Sequence, residues 1–172
     1  MPPSVTVAQS KIDCQGVYAA ADFAPGVVIL TIDDSYLVDD EHPVPPGEAH
    51  HCDYLEAAKS IWMQPPECFI NHSCDPNVYV KTLDGFRRVV SLRQIAVGEE
   101  VVYDFCVNSS GDVVWQCNCG APRCRQTIHS DFFHLPLELQ KEYLPLLDDW
   151  FLQERSADVE VLMAALSAEH PG

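Results

Sequence analysis

Cys68-Phe69-Ile70-Asn71-His72-Ser73-Cys74-Asp75-Pro76-Asn77 is the stretch on which the reading of this chain turns. Phe69 and Ile70 form an apolar lead-in suited to a buried edge, and Asn71, His72, Ser73 and Asp75 follow with donors and acceptors at close spacing. Pro76 stops any helix. Taken alone, Asn-His-Ser reads equally well as a capped turn whose polar groups satisfy the backbone. Two later stretches shift that balance: Gly98-Glu99-Glu100-Val101-Val102-Tyr103-Asp104-Phe105 and Cys117-Asn118-Cys119-Gly120-Ala121-Pro122-Arg123-Cys124.

Together the three motifs, in this order, resemble the SET-domain family of protein lysine methyltransferases with a cysteine-rich post-SET segment, over roughly residues 4 to 130. The resemblance implies a mainly β fold with short helices, of the β-clip-like SET type, with a pseudoknot at the active site. It divides the chain into a SET domain over 4–105, a zinc-binding post-SET segment over 113–129 and a C-terminal helical extension over 135–168. It also implies transfer of methyl groups from S-adenosylmethionine to the side-chain amine of lysine.

A chain of 172 residues with 47% apolar residues forms one packed core with a small appendage rather than a disordered chain. Twenty-six acidic against 10 basic residues give a formal net charge of -16. That charge disfavours a grip on a nucleic-acid backbone and suits a basic partner, a lysine-rich histone tail or ribosomal protein among them. No signal-like opening and no membrane-length apolar run are present, so a soluble protein of the cytoplasm or nucleus is expected, without membrane contact. In such a reducing compartment the eight cysteines read as free thiols and metal ligands.

Short strands are expected over Ser4–Val7 and Gly16–Ala19, with a turn at Pro25-Gly26 and a buried strand over Val27–Ile32. The proline-rich 42–47 region predicts an extended loop, and Asp53–Met63 a short helix or irregular arm. Asp84-Gly85 is the strongest hairpin signal, joining Val78–Val80 to Arg87–Leu92, and Val101–Tyr103 should return as a strand beside the central motif. Pro136–Phe151 has helical spacing broken by Pro145, and a second, shorter helix is expected over Val159–Leu166.

Cys117, Cys119 and Cys124 are three soft ligands, one short of the closed tetrahedral set of a structural zinc. The resemblance supplies Cys74 as the fourth. Cys14, Cys52, Cys68 and Cys106 lack such a pattern and read as small buried hydrophobes. Carried over from the family, Asn71 and His72 contact the cofactor, Gly16, Val17 and Tyr18 line it through backbone groups, and Tyr103 and Phe105 border the lysine channel. Cys14 stands at the first glycine of the family's Gly-x-Gly loop, and Phe105 stands where the family has its catalytic tyrosine. Two readings follow: a methyltransferase whose hydroxyl comes from Tyr103, Tyr36 or Tyr79, or a weak or inactive SET module acting as a zinc-stapled interaction domain.

Overall fold

The computed structural model describes residues 4–168. Two strands, β1 (Val5–Gln9) and β2 (Gln15–Ala19), pair antiparallel with Val7 opposite Val17. The 10–14 loop between them closes through a hydrogen bond from Ser10 N–H to the Cys14 carbonyl. Cys14 holds a positive φ of 34° and is exposed, so the expectation that it is a small buried hydrophobe fails. It lies in a tight turn between two strands, not in a core.

β3 (Val28–Thr31) is shorter and wetter than the buried strand predicted there: Val27 and Val28 are exposed and Ile29 is buried. It is an edge strand, and one of its faces points to solvent. β4 (Leu37–Val38), β5 (Cys52–Tyr54) and β6 (Ser60–Trp62) make a three-stranded antiparallel sheet in the order β4-β6-β5. The helix or arm predicted over 53–63 is therefore two short strands around a 3-10 turn. Their alternation is too brief to stand out locally, and pairing of Asp53 with Ile61 and of Leu37 with Ile61 decides the outcome.

β7 (Asn71–His72) carries the central motif. β8 (Val78–Leu83) and β9 (Phe86–Ser91) form the predicted hairpin, with φ of 53° at Asp84 and 79° at Gly85, both positive as a type I′ turn requires. β9 lies between β8 and β3. β10 (Glu100–Tyr103) inserts between β2 and β7, antiparallel to one and parallel to the other. A late strand is thus flanked by two earlier ones, the juxtaposition that the pseudoknot expectation demands.

β11 (Ser110–Gln116) and β12 (Thr127–Asp131) form a separate hairpin whose long connection carries the three clustered cysteines. α1 (Leu137–Tyr143) gives way at Pro145 to a 3-10 turn, and α2 (Asp149–Glu154) restarts with Asp148 accepting from the Asp149 N–H. α3 (Ser156–Ala168) contains the helix predicted over 159–166, but at 13 residues it is the longest of the three and not a shorter one. No helix among the described residues is long and apolar enough to cross a membrane.

Two apolar cores result. Val17, Ile29, Ile61, Val89, Ile95 and Val101 fill the first, between the sheets. Phe132, Tyr143, Leu147, Phe151 and Ile128 fill the second, under the cysteine hairpin and the helices, where burying each large side chain contributes about 1.5–3 kcal/mol. Ile70 belongs to the first core and Cys74 to the second. The central motif is the seam between them.

Candidate active site and metal centre

The site is built where β7 runs alongside β10, with Asn71 opposite Val102 and His72 opposite Tyr103. Asn77 pins this arrangement. Its side chain donates to the Glu100 carbonyl at 2.7 Å and Glu99 Oε1 at 3.1 Å, and accepts from the Val102 N–H at 2.9 Å. Only 1% of Asn77 is exposed, so no water replaces these partners.

Asn71 Nδ2 donates to the Gln15 carbonyl at 2.8 Å, the Glu100 Oε1 at 2.9 Å and the Asp13 carbonyl at 3.3 Å. Gly16 lies against the same carboxylate: a Cβ there would collide with Glu100 Oε1, so any side chain would force Glu100 off its bond to Asn71. Val17 and Tyr18 lie between β1 and β10 and are paired on both edges, whereas Gly16 pairs with β1 alone. The open backbone of this segment therefore begins at Gly16, and the Tyr18 hydroxyl donates to the Gln9 carbonyl at 3.0 Å.

His72 Nδ1 accepts from the Phe105 N–H at 3.1 Å, which places the ring proton on Nε2, 3.5 Å from Cys74 Sγ. Burial pushes the imidazole down to about 4, against the pull of the Asp104 carboxylate. His72 is neutral at pH 7. Its ring meets Phe105 and Trp115 edge-on at centroid distances of 5.3 and 5.4 Å, and Phe105 lies 4.7 Å from Tyr103. Among the described residues the Tyr103 hydroxyl has no hydrogen-bond partner. Burial pushes its acidity further from neutrality, the Asp53 charge adding to the effect and Arg87 opposing it, so the phenol keeps its proton. Tyr36 packs instead on Trp62, in the β4-β6-β5 sheet.

The sulfurs of Cys74, Cys117, Cys119 and Cys124 all lie within 4.8 Å of one another. Cys74 and Cys117 Sγ are 3.9 Å apart, close to the roughly 3.8 Å edge of a tetrahedron with Zn–S bonds near 2.3 Å. Backbone N–H groups of Cys119, Arg125 and Gln126 point at Cys117, Cys74 and Cys124 sulfurs at 3.3–3.4 Å, as they would to stabilise thiolates. This donor set fits a zinc ion. All eight cysteines are free thiols.

Two arginines bracketing Cys124 lock the hairpin down. Arg125 grips the fully buried Asp104 carboxylate with two bonds, at 2.5 and 2.8 Å. Arg123 donates to the Cys74 carbonyl at 2.9 Å, to the Tyr143 hydroxyl at 2.7 Å and to both oxygens of Glu142. Sequence reasoning named the cysteines but not Trp115, Asn77 or these arginines. The one available signal was the pattern Arg-Cys-Arg at 123–125, two cations beside a thiolate ligand.

A strand-built seam of Asn71, His72, Tyr103 and Phe105, capped by a hairpin whose three cysteines meet Cys74, defines the class. The SET domain profile matches residues 15–106 of this chain. The chain belongs to the SET-domain family. It is 40% identical over 65 residues to the histone-lysine N-methyltransferase trithorax of Drosophila virilis, covering 36% of this chain and 2% of that protein. It is 40% identical over 67 residues to histone-lysine N-methyltransferase 2B of Homo sapiens, again 36% and 2%. With histone-lysine N-methyltransferase set-2 of Caenorhabditis elegans it shares 46% identity over 61 residues, 33% of this chain and 4% of that one. The match thus spans only a few per cent of these relatives' own length. A solved chain from Plasmodium falciparum aligns over 60% of this chain and 94% of its own at 16% identity, with a TM-score of 0.49, too distant to bear on function.

Proposed function

We propose that this chain transfers a methyl group from S-adenosylmethionine to the side-chain amine of a lysine in a basic polypeptide. The observation that carries the reading is that Asn71 and His72 pair with Val102 and Tyr103 across β7 and β10, with the Phe105 ring packed on both His72 and Tyr103. The surround fits a cationic cosubstrate: Glu100 and the carbonyls of Asp13 and Gln15 gather about Asn71, and His72 is held neutral, adding no opposing charge. Asn71, His72 and the Gly16–Tyr18 segment would hold it. When bound, S-adenosylmethionine supplies an electrophilic methyl and takes back the electron pair of the breaking carbon–sulfur bond.

The protein's own part is positioning and dehydration. A free lysine has a pKa of about 10.4, so it must shed a proton to water before its lone pair can attack. The apolar wall of Phe105 and Trp115 disfavours the ammonium form. Tyr103, neutral and unpartnered, accepts a hydrogen bond from the amine and so turns its lone pair along the line of attack. Such orientation is worth about 7–11 kcal/mol when the reacting atoms are held close. Zinc on Cys74, Cys117, Cys119 and Cys124 would fix the hairpin that carries Trp115.

The relatives named as histone-lysine methyltransferases and the charge of -16 support a histone tail or another lysine-rich segment as substrate. Zinc-loaded protein given labelled S-adenosylmethionine should label core histones or a ribosomal-protein fraction. Phe105 favours a second reading, a SET module that binds its cosubstrate or a partner and transfers little. A cosubstrate-induced melting shift with no label on any fraction, even from Phe105→Tyr protein, would decide for it.

A further inference from the structure

A cavity of about 370 Å³ opens where the β8–β9 turn, the β5–β6 connection and the start of α2 come together, with Asp34, Leu55, Glu56, Arg87, Asp149 and Trp150 in its lining. Its walls are fastened from three directions. Asp148 accepts from the Thr82 N–H at 2.8 Å and hydroxyl at 2.7 Å, Lys81 Nζ donates to the Leu147 carbonyl at 3.1 Å, and Glu154 accepts from the Ala57 N–H at 2.5 Å. Residues 148–150 lie beyond the family match, so one wall of this cavity comes from the helical extension and the others from the SET domain.

Its charges do not cancel. Arg87, almost fully buried, is claimed twice, by both oxygens of Asp34 and by Asp53. Asp148 is turned inward to Thr82. Glu56 and Asp149 remain, themselves 59% and 91% exposed, each with only a loose contact to a lysine, Lys59 at 3.5 Å and the largely buried Lys81 at 3.7 Å, pairs that contribute little in water. Trp150 and Leu55 contribute an aromatic ring and an aliphatic side chain to the same lining. A long side chain with an apolar stem and a cationic head satisfies all three, through stem packing, cation–π attraction and charge. Arg87 also joins the cavity to the other site, because Asp53, which it holds, is close enough to act on the Tyr103 phenol.

We infer that this cavity takes a second basic side chain, arginine or lysine, of the polypeptide being methylated, its stem on Trp150 and Leu55 and its charge between Glu56 and Asp149. The inference rests on the methyltransferase reading of the neighbouring site. The direct test uses the zinc-loaded full chain and alanine-rich peptides bearing one target lysine and one arginine, moved through offsets of two to eight residues on either side. Each has a twin with neutral citrulline in place of the arginine. Binding by calorimetry and methylation rate are both measured. At one offset the arginine peptide should bind about tenfold more tightly than its twin, and the gain should vanish in Trp150→Leu and in Glu56→Gln/Asp149→Asn proteins that retain metal and the wild-type melting temperature. Equal binding of twins at every offset, or a gain that survives both variants, overturns the inference. If peptides are methylated with no offset preference, the cavity proposal fails and the reaction stands. If the variant-sensitive gain appears with no methylation, the cavity binds as proposed and the reaction assignment fails.

Discussion

Asn77 makes more bonds than its size suggests, and its side-chain partners all sit in the Gly98–Phe105 motif, so it ties that motif to the central one. Asn77→Ala strands the Val102 N–H and the Glu100 carbonyl in a dry interior and should cost about 3 kcal/mol in a denaturant titration, where a surface asparagine would cost almost nothing. Tyr103 and Phe105 separate on chemistry rather than stability. Tyr103→Phe should lower the methylation rate at least tenfold or change the number of methyl groups added, and Phe105→Tyr should keep or raise the rate; product masses and rates check both. Cys14 gives a backbone prediction. At a φ of 34° a β-branched side chain meets its own carbonyl, so Cys14→Val should lose about 1–2 kcal/mol while Cys14→Gly loses little, read as melting temperatures. Of these residues, Tyr103, Phe105 and Cys14 were legible in the sequence as positions of interest. Asn77 was visible only as the last letter of a motif, because its partners stand some 22 to 25 residues away.

The connection of the β11–β12 hairpin brings three cysteines to Cys74 and, beside them, the Arg125–Asp104 ion pair. Its cysteines were readable from spacing, and Cys74 from the family resemblance, but Trp115 was not. Its contacts with His72 and Phe105 arise from how the hairpin folds back, which no local pattern encodes. The same reason separates the β8–β9 hairpin, announced by Asp84-Gly85, from β5 and β6, whose three-residue strands exist only by pairing. Cys74→Ser should release zinc as completely as Cys119→Ser, measured as metal per chain. Retained metal in the Cys74 variant would mean a site local to the hairpin. Asp104→Asn leaves the Arg125 guanidinium half-satisfied in a buried setting and should cost about 3 kcal/mol, seen as a lower melting temperature with metal still bound.

Across the whole molecule, the two cores meet at one motif, and the chain carries a formal net charge of -16. Raising salt from 50 to 500 mM should raise the KM for a basic peptide several-fold and leave kcat nearly unchanged, because screening weakens approach and not the chemistry. A uniform fall in kcat would point instead to a loosened fold. The β-rich plan and the helical tail were readable because each motif was contiguous; the cavity beside Trp150 was not, being assembled from four segments spread between Asp34 and Trp150. The Arg123 bonds to Cys74, Glu142 and Tyr143 extend the metal centre into α1. During synthesis, Cys74 leaves the ribosome long before Cys124, and Tyr143 later still. A nascent chain that stops before residue 124 carries three of the four sulfurs, so a closed four-thiolate site would form only once Cys124 has been added, joining segments made far apart in time.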